Sequence, residues 1–276
     1  MAAAPQTSFA DLPPVFVISL VEAVDRRALM TRKLAEAGLP FSFLDAVDGR
    51  KFDVNAQPIY NGPRRRLFFG RDLLGGEIGV LLSHKAAMQR LLDQNLACAL
   101  ILEDDVVLDA GFTSVVRELM RWPGEWELVR FFGDAKHAKR KQRRILPLGD
   151  GYWLTRLSTS PGEAHAYLIS QAGARKMLRR LNRTSTPIDT LMGQPWKTGV
   201  GVLSVHPGLA RQDQALGTSI SDVRFDKKPT TTGFTRLMLP LAKTALKTSE
   251  NILKRSCYFA AWFSDRRSRC TPPPVA

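Results

Sequence analysis

The stretch Val15-Phe-Val-Ile-Ser-Leu20, with the two segments that follow it, decides the fold class. It is an unbroken apolar run behind Pro13-Pro14, the pattern of a strand buried on both faces of a parallel sheet. In residues 24–37, Leu29, Met30, Leu34 and Ala37 interleave with Arg26, Arg27, Arg32, Lys33 and Glu36. That spacing predicts an amphipathic helix, stopped by Gly38 ahead of Pro40. Residues 41–47 read as a second strand. A βαβ unit at this point predicts a layered α/β fold.

Working outward, residues 48–74 show no regular period and carry Arg64-Arg65-Arg66 near their middle. Residues 75–94 predict a helix with Ile78, Leu81, Leu82, Leu91 and Leu92 on one face. Residues 97–102 predict a buried strand that ends abruptly in Glu103-Asp104-Asp105. A helix over 115–120, a strand over 128–132 and a basic loop over 134–144 follow. A strand over 164–169, a helix over 171–181 and a last strand over 200–205 complete the pattern. In 234–263, Phe234, Leu237, Met238, Leu241, Ala245, Ile252, Cys257, Phe259 and Phe263 recur at helical spacing, with Arg236, Lys243, Lys247, Lys254 and Arg255 between them. Pro240 predicts a break there, with a helix starting near it. The organisation expected is a loose leader (1–14), one α/β domain (15–215) and a basic, partly helical amphipathic tail (216–276).

Composition narrows the function classes. The chain has 276 residues, 44% hydrophobic and 24% charged, enough to bury a core, which excludes wholesale disorder. No apolar run reaches the ~18 residues of a spanning helix. The first residues lack the basic and apolar regions of a signal peptide, so the expected location is cytoplasmic. Cys98, Cys257 and Cys270 are too scattered for a disulfide framework or a zinc cluster. Lys+Arg number 40 against 26 Asp+Glu, a net charge of +14. Residues 226–270 hold 10 cations and 3 acids, and Lys136, Lys139, Arg140, Lys141, Arg143 and Arg144 place six cations in nine positions. Such patches attract nucleic acid, anionic lipid or a nucleotide substrate. A basic nucleic-acid-binding protein without catalysis is therefore the alternative function. Against it, no helix-turn-helix, zinc-finger or RNA-recognition pattern is present. A nucleotidyl- or phosphotransferase would share the acid cluster, but GxxxxGK[ST] is missing.

Ligands of open α/β sheets bind at the carboxyl ends of strands, where Glu103-Asp104-Asp105 sits. Three adjacent carboxylates need a counter-charge, and a hard divalent cation supplies one; an acidic cap for the next helix is the equal alternative. Gly76 and Glu77 open the predicted helix, and Ser83 and His84 lie seven residues on, on the same face. A glycine there lets a ligand approach, and a helix start favours an anion. His84 alone also fits a core histidine. Asp25-Arg26-Arg27 reads either as a solvated helix start or as a phosphate clamp.

VISL (17–20) with DRR (25–27), GEIGVLLSH (76–84), ALILEDDV (99–106), HAYLISQAGARKML (165–178) and PID (187–189), in this order, resemble glycosyltransferase family 25. That family includes bacterial lipopolysaccharide and lipooligosaccharide galactosyltransferases and the collagen hydroxylysine galactosyltransferases. Val80 departs from it, standing where many members have Cys, and the 134–144 loop and the tail after 215 inherit no role. The resemblance implies a GT-A-like (Rossmann-like) α/β fold, a mixed sheet flanked by helices, and transfer of a hexose, galactose foremost, from a UDP-sugar with inversion. It implies Mn²⁺ or Mg²⁺ on Asp105 with Glu103 or Asp104. It places Arg26 and Arg27 toward the uridine diphosphate and Ser19 and Leu20 in the nucleotide pocket, beside Gly76, Glu77, Ser83 and His84. Asp189, at the family's PxD position, and Glu163 are the expected bases, each also readable as a turn or hairpin-end charge. By analogy with GT-A enzymes, His206 could complete the metal shell or be a structural imidazole. The partners the resemblance implies are a UDP-hexose and a glycan or glycolipid acceptor; no specific nucleic acid is expected. From its own residues, the basic amphipathic stretch 234–270 reads either as a contact with an anionic membrane, on the inner face of a bacterial cell, or as a helix packed on the domain with its cations in water.

Overall fold

A computed structural model describes residues 12–132, 141–159, 161–213 and 229–269, with side chains to Arg266 in the last segment. The chain begins with β1 (Val15–Ser19), α1 (Val24–Glu36) and β2 (Phe41–Asp45). Then come α2 (Gly62–Phe69), α3 (Gly75–Asp93), β3 (Cys98–Glu103), β4 (Val106–Leu108), α4 (Phe112–Arg121) and β5 (Leu128–Arg130). After these lie β6 (Gln142–Pro147), β7 (Trp153–Leu157), β8 (Ala166–Ser170), α5 (Gln171–Arg180), α6 (Ile188–Met192) and α7 (Pro195–Thr198). The last are β9 (Val202–His206), β10 (Ala210–Gln212) and α8 (Gly233–Arg269).

The main sheet has the order β2-β1-β3-β8-β5-β9-β7-β6, and β10 pairs with β4 in a small second sheet. β1 is parallel to β2 and β3, and β5 is parallel to β9. β8 runs antiparallel to both its neighbours, so the sheet is mixed, as expected. The strand alternation sorts side chains into two cores. Val15, Val17, Leu100 and Leu102 face Met30, Leu34, Val116 and Leu119 on one side. Phe16, Ile18, Ala99 and Ile101 face Ile78, Leu81, Met88 and Met177 on the other. Helices thus cover both faces, and the parallel strands β1 and β3 end together at one edge.

The structure departs from the sequence expectations in four places. Residues 48–74 contain α2, where Asn61 caps the helix by accepting from the Arg64 amide at 3.2 Å and Gly70 closes it in the left-handed region at φ 77°. The 134–144 segment is not all loop: β6 begins at Gln142 and pairs with β7. Lys136, Lys139 and Arg140 lie outside the described residues, as do residues 1–11 and the expected boundary near 215. The strand expected to be last, β9, is followed by β10. Finally, α8 runs without a break through Pro240. The proline removes the amide that would donate to the Arg236 carbonyl, a group at the exposed side of the helix that water can satisfy.

Candidate functional site

The carboxyl ends of β1 and β3 open into a cleft of about 210 Å³. Register fixes what points there: Ile18 of β1 sits beside Glu103 of β3. From that edge, three consecutive acids reach three different partners. Glu103 Oε1 lies 3.1 Å from His84 Nε2, and His84 Nδ1 lies 2.9 Å from the Tyr167 hydroxyl. Asp104 accepts from Ser19 Oγ at 2.7 Å and from Arg26 Nη1 at 3.1 Å. Asp105 Oδ2 accepts from Gln212 Nε2 at 2.7 Å. The small β4–β10 sheet places Gln212 there, helped by the Asp213 amide donating to the Asp105 carbonyl at 2.7 Å.

Asp105 is only 6% exposed, and its Oδ1 is buried without a hydrogen-bond partner. Burial, then the charge of Glu103, raises its carboxyl from 3.8 to about 6. A buried, partnerless carboxylate oxygen is costly unless something else completes it. Among the described residues, no three His, Cys, Asp or Glu side chains form a preformed cage for a metal. The donor chemistry fits instead a hard cation held by one or two carboxylates and completed by substrate phosphates and water.

The start of α3 forms a second side. Glu77 reaches back to cap the Leu74 amide at 2.9 Å. Gly79 permits close packing: a Cβ there would lie 2.5 Å from the Val47 carbonyl oxygen. Ser83 accepts from the Val47 amide at 2.8 Å and donates to the Gly79 carbonyl at 2.8 Å, so it ties the 46–50 loop to the helix. Val80, at the departure from the family pattern, also lines the cleft.

The opposite wall comes from residues 162–165 and 187–189, and carries Glu163 and Asp189. The two segments touch, since a Cβ on Gly162 would stand 3.5 Å from Asp189 Oδ2. Beneath them, Arg130 is fully buried, donates to the Pro161 carbonyl at 2.8 Å and stacks over Phe132 at 4.3 Å. Burial lowers its guanidinium to about 10, against the pull of Asp189, Glu163 and Tyr167. Arg65, 6% exposed, is likewise lowered by burial while Glu77 and Asp189 oppose the shift.

Of the residues expected from sequence, Ser19, Leu20, Arg26, Gly76, Glu77, Ser83, His84, Glu103, Asp104, Asp105, Glu163 and Asp189 all line this one cleft. Two do not. Arg27 turns away, donating to the Ser19 and Leu20 carbonyls and to Asp45, and stacking over Phe43 at 4.8 Å. It fastens the end of β1 to β2. His206 lies in register with Trp153 on β9, three strands from β3, about 14 Å at ~4.8 Å per strand. Burial and Arg144 lower its pKa, and it has no part in the carboxylate group. Sequence reasoning missed Tyr167, Arg130, Arg65 and Gln212. A lone arginine inside the apolar run LVRFF was the available signal for Arg130. Gln212 carried none.

A family model described as "Glycosyltransferase family 25 (LPS biosynthesis protein)" matches residues 12–192. The "Probable inactive glycosyltransferase 25 family member 3" of Bos taurus is 31% identical over 199 residues, 64% of this chain and 31% of the relative. "Procollagen galactosyltransferase 1" of Danio rerio is 28% identical over 192 residues, covering 63% and 30%. "Procollagen galactosyltransferase 2" of Homo sapiens is 26% identical over 182 residues, covering 59% and 27%. The matched region thus spans about a third or less of each of these relatives. It runs from β1 through α6 and takes in both walls of the cleft, and on that match the chain belongs to glycosyltransferase family 25.

Proposed function

We propose that this chain is a GT-A-type glycosyltransferase that moves a hexose, galactose foremost, from a UDP-sugar to a hydroxyl of a glycan or glycolipid acceptor, with inversion. The observation that carries it is the buried, partnerless Asp105 Oδ1 at the strand edge, in the same cleft as Arg26, Glu163 and Asp189. Galactosyltransferases among the relatives favour galactose, and the family's description favours a lipopolysaccharide-type acceptor.

Asp105, with Glu103 or Asp104, would hold Mn²⁺ or Mg²⁺. When bound, such an ion supplies charge stabilisation to a departing diphosphate. Arg26, fixed by Asp104, adds a cation at the same edge. The acceptor enters from the opposite wall, where Asp189 or Glu163 takes the proton of its hydroxyl as that oxygen bonds to the anomeric carbon. The bond from that carbon to the phosphate oxygen breaks in the same displacement, and UDP leaves with its electrons. His84 and Tyr167 act behind Glu103, holding its carboxylate against the strand edge.

Transfer assays with UDP-galactose and UDP-glucose, with and without Mn²⁺, test this reading alongside Asp105→Asn. Metal-dependent transfer lost in the variant, without loss of thermal stability, supports it. UDP-sugar binding without transfer would set the chain beside the relatives whose names mark them inactive. The nucleic-acid alternative loses the support of two cations of the 136–144 cluster. Arg143 pairs with Asp265 and stacks on Tyr258, and Arg144 stacks over Trp153 at 5.0 Å.

A further inference from the structure

We propose that α8 is a membrane-surface element that lies flat on an anionic lipid bilayer. The inference stands on this helix alone, whether or not the cleft transfers sugar. α8 has 37 residues, about 55 Å at ~1.5 Å per residue. Its inward side is fixed to the protein. Leu239, 4% exposed, packs by Gly70. Glu250 accepts from Lys197 at 2.7 Å, and Asp265, 2% exposed, accepts from Arg143 at 2.6 Å and Arg156 at 2.8 Å.

A second apolar row faces outward. Phe234 (75% exposed), Leu237 (75%), Leu241 (65%), Ile252 (60%), Phe259 (64%) and Phe263 (69%) follow one another at 3, 4, 11, 7 and 4 residues. Each step is close to a whole number of helical turns, so the row is continuous along one face. Arg255 falls three residues after Ile252 and four before Phe259. Arg266 falls three after Phe263 and stacks over Trp262 at 4.2 Å. The cations therefore interleave with the outward row.

Charge decides the occupant. The acids of the helix, Glu250 and Asp265, are both turned inward into ion pairs. The exposed charges are all positive: Arg255 and Arg266 flank the apolar row, and Arg236, Lys243 and Lys247 lie about half a turn away from it. A second copy docked through the same row would set cations against cations with no acid between them. An anionic bilayer offers both apolar depth and negative headgroups. No helix among the described residues is long and apolar enough to cross a membrane, so the helix would lie in the interface.

The test is co-sedimentation of the full chain with unilamellar vesicles of phosphatidylcholine alone, or containing about one third phosphatidylglycerol, at low and high salt. Strong binding only to the anionic vesicles, weakening as salt rises, is expected. Arg255→Glu with Arg266→Glu should cut partitioning at least about thirtyfold, at ~1 kcal/mol per basic residue. Phe259→Ser with Phe263→Ser should cut it about tenfold or more while melting as the parent does, because both rings are already in solvent. Equal binding to both vesicle types, binding to neither, or variants that bind like the parent would overturn the proposal. So would a dimer in light scattering that the Phe259→Ser/Phe263→Ser variant dissolves, since the row would then join two copies.

Discussion

The two walls of the cleft handle charge in opposite ways. The strand-edge wall gathers Glu103, Asp104 and Asp105, and satisfies them from outside with His84, Ser19, Arg26 and Gln212, leaving one oxygen of Asp105 bare. The facing wall carries Glu163 and Asp189 on a loop and a one-turn helix, and lays the buried guanidiniums of Arg130 and Arg65 behind them. A strand end fixes side-chain direction through register, so it suits groups that must meet a ligand at a set point. A loop and a one-turn helix fix direction less strictly, and the buried guanidiniums behind them hold positive charge close to both carboxylates.

That contrast can be broken in several ways, the largest effect first. Asp105→Asn should lower kcat by about 10³-fold or more in a metal-supplemented assay, as expected for loss of a group that stabilises leaving-group charge. Asp189→Asn and Glu163→Gln should separate the base from its neighbour. The base variant loses about 10²-fold or more in kcat, while the other changes chiefly KM for the acceptor. Arg130→Met should cost about 3 kcal/mol in chemical denaturation, because the Pro161 carbonyl and two carboxylates lose a buried partner. UDP affinity by calorimetry should stay unchanged.

A pH effect sharpens the picture further. Burial raises Asp105 from 3.8 to about 6, so the folded protein binds this proton more tightly than the unfolded chain. Its contribution to stability is full below the unfolded value and is lost as pH rises through about 6. Asn mimics the protonated form. With chelator present, Asp105→Asn should therefore melt higher than the parent at about pH 8, by about 2–3 kcal/mol at ~1.4 kcal/mol per unit, and the gain should vanish by about pH 4. The smallest effect is expected at His206→Asn, with kcat/KM within about twofold of the parent, roughly 0.4 kcal/mol.

The first half of the fold was legible because its signals are local. β1, α1, β2, α3 and β3 each advertise a run or a period in sequence, and ten of the twelve expected residues that line the cleft lie on or beside those elements. α2 was also announced, by Asn61 and Pro63 at its start and Gly70 at its end, but its weak apolar period hid it. Arg27 and His206 went astray for one reason. Sequence position places a residue at a strand or helix end, but only the folded contacts show that Arg27 turns to the Ser19 and Leu20 carbonyls and Asp45, and only the strand order shows that β9 lies three strands from β3. Gln212 and Tyr167 depend on pairings across more than 80 residues, which no local pattern carries. Pro240 misled because helix rules weigh the lost hydrogen bond, whereas the packing of Leu239 and the ion pairs farther along keep the helix in line.

The acid trio makes β3 a phasing device. Its three carboxylates answer to a histidine on one side of the sheet, a serine and an arginine at its rim, and a glutamine from a separate ribbon. Deleting one residue between Cys98 and Leu102 would keep every acid yet offset each by one pleat, handing it to a neighbour's partner. The spacing of that strand is therefore as much a part of the chemistry as the side chains it presents.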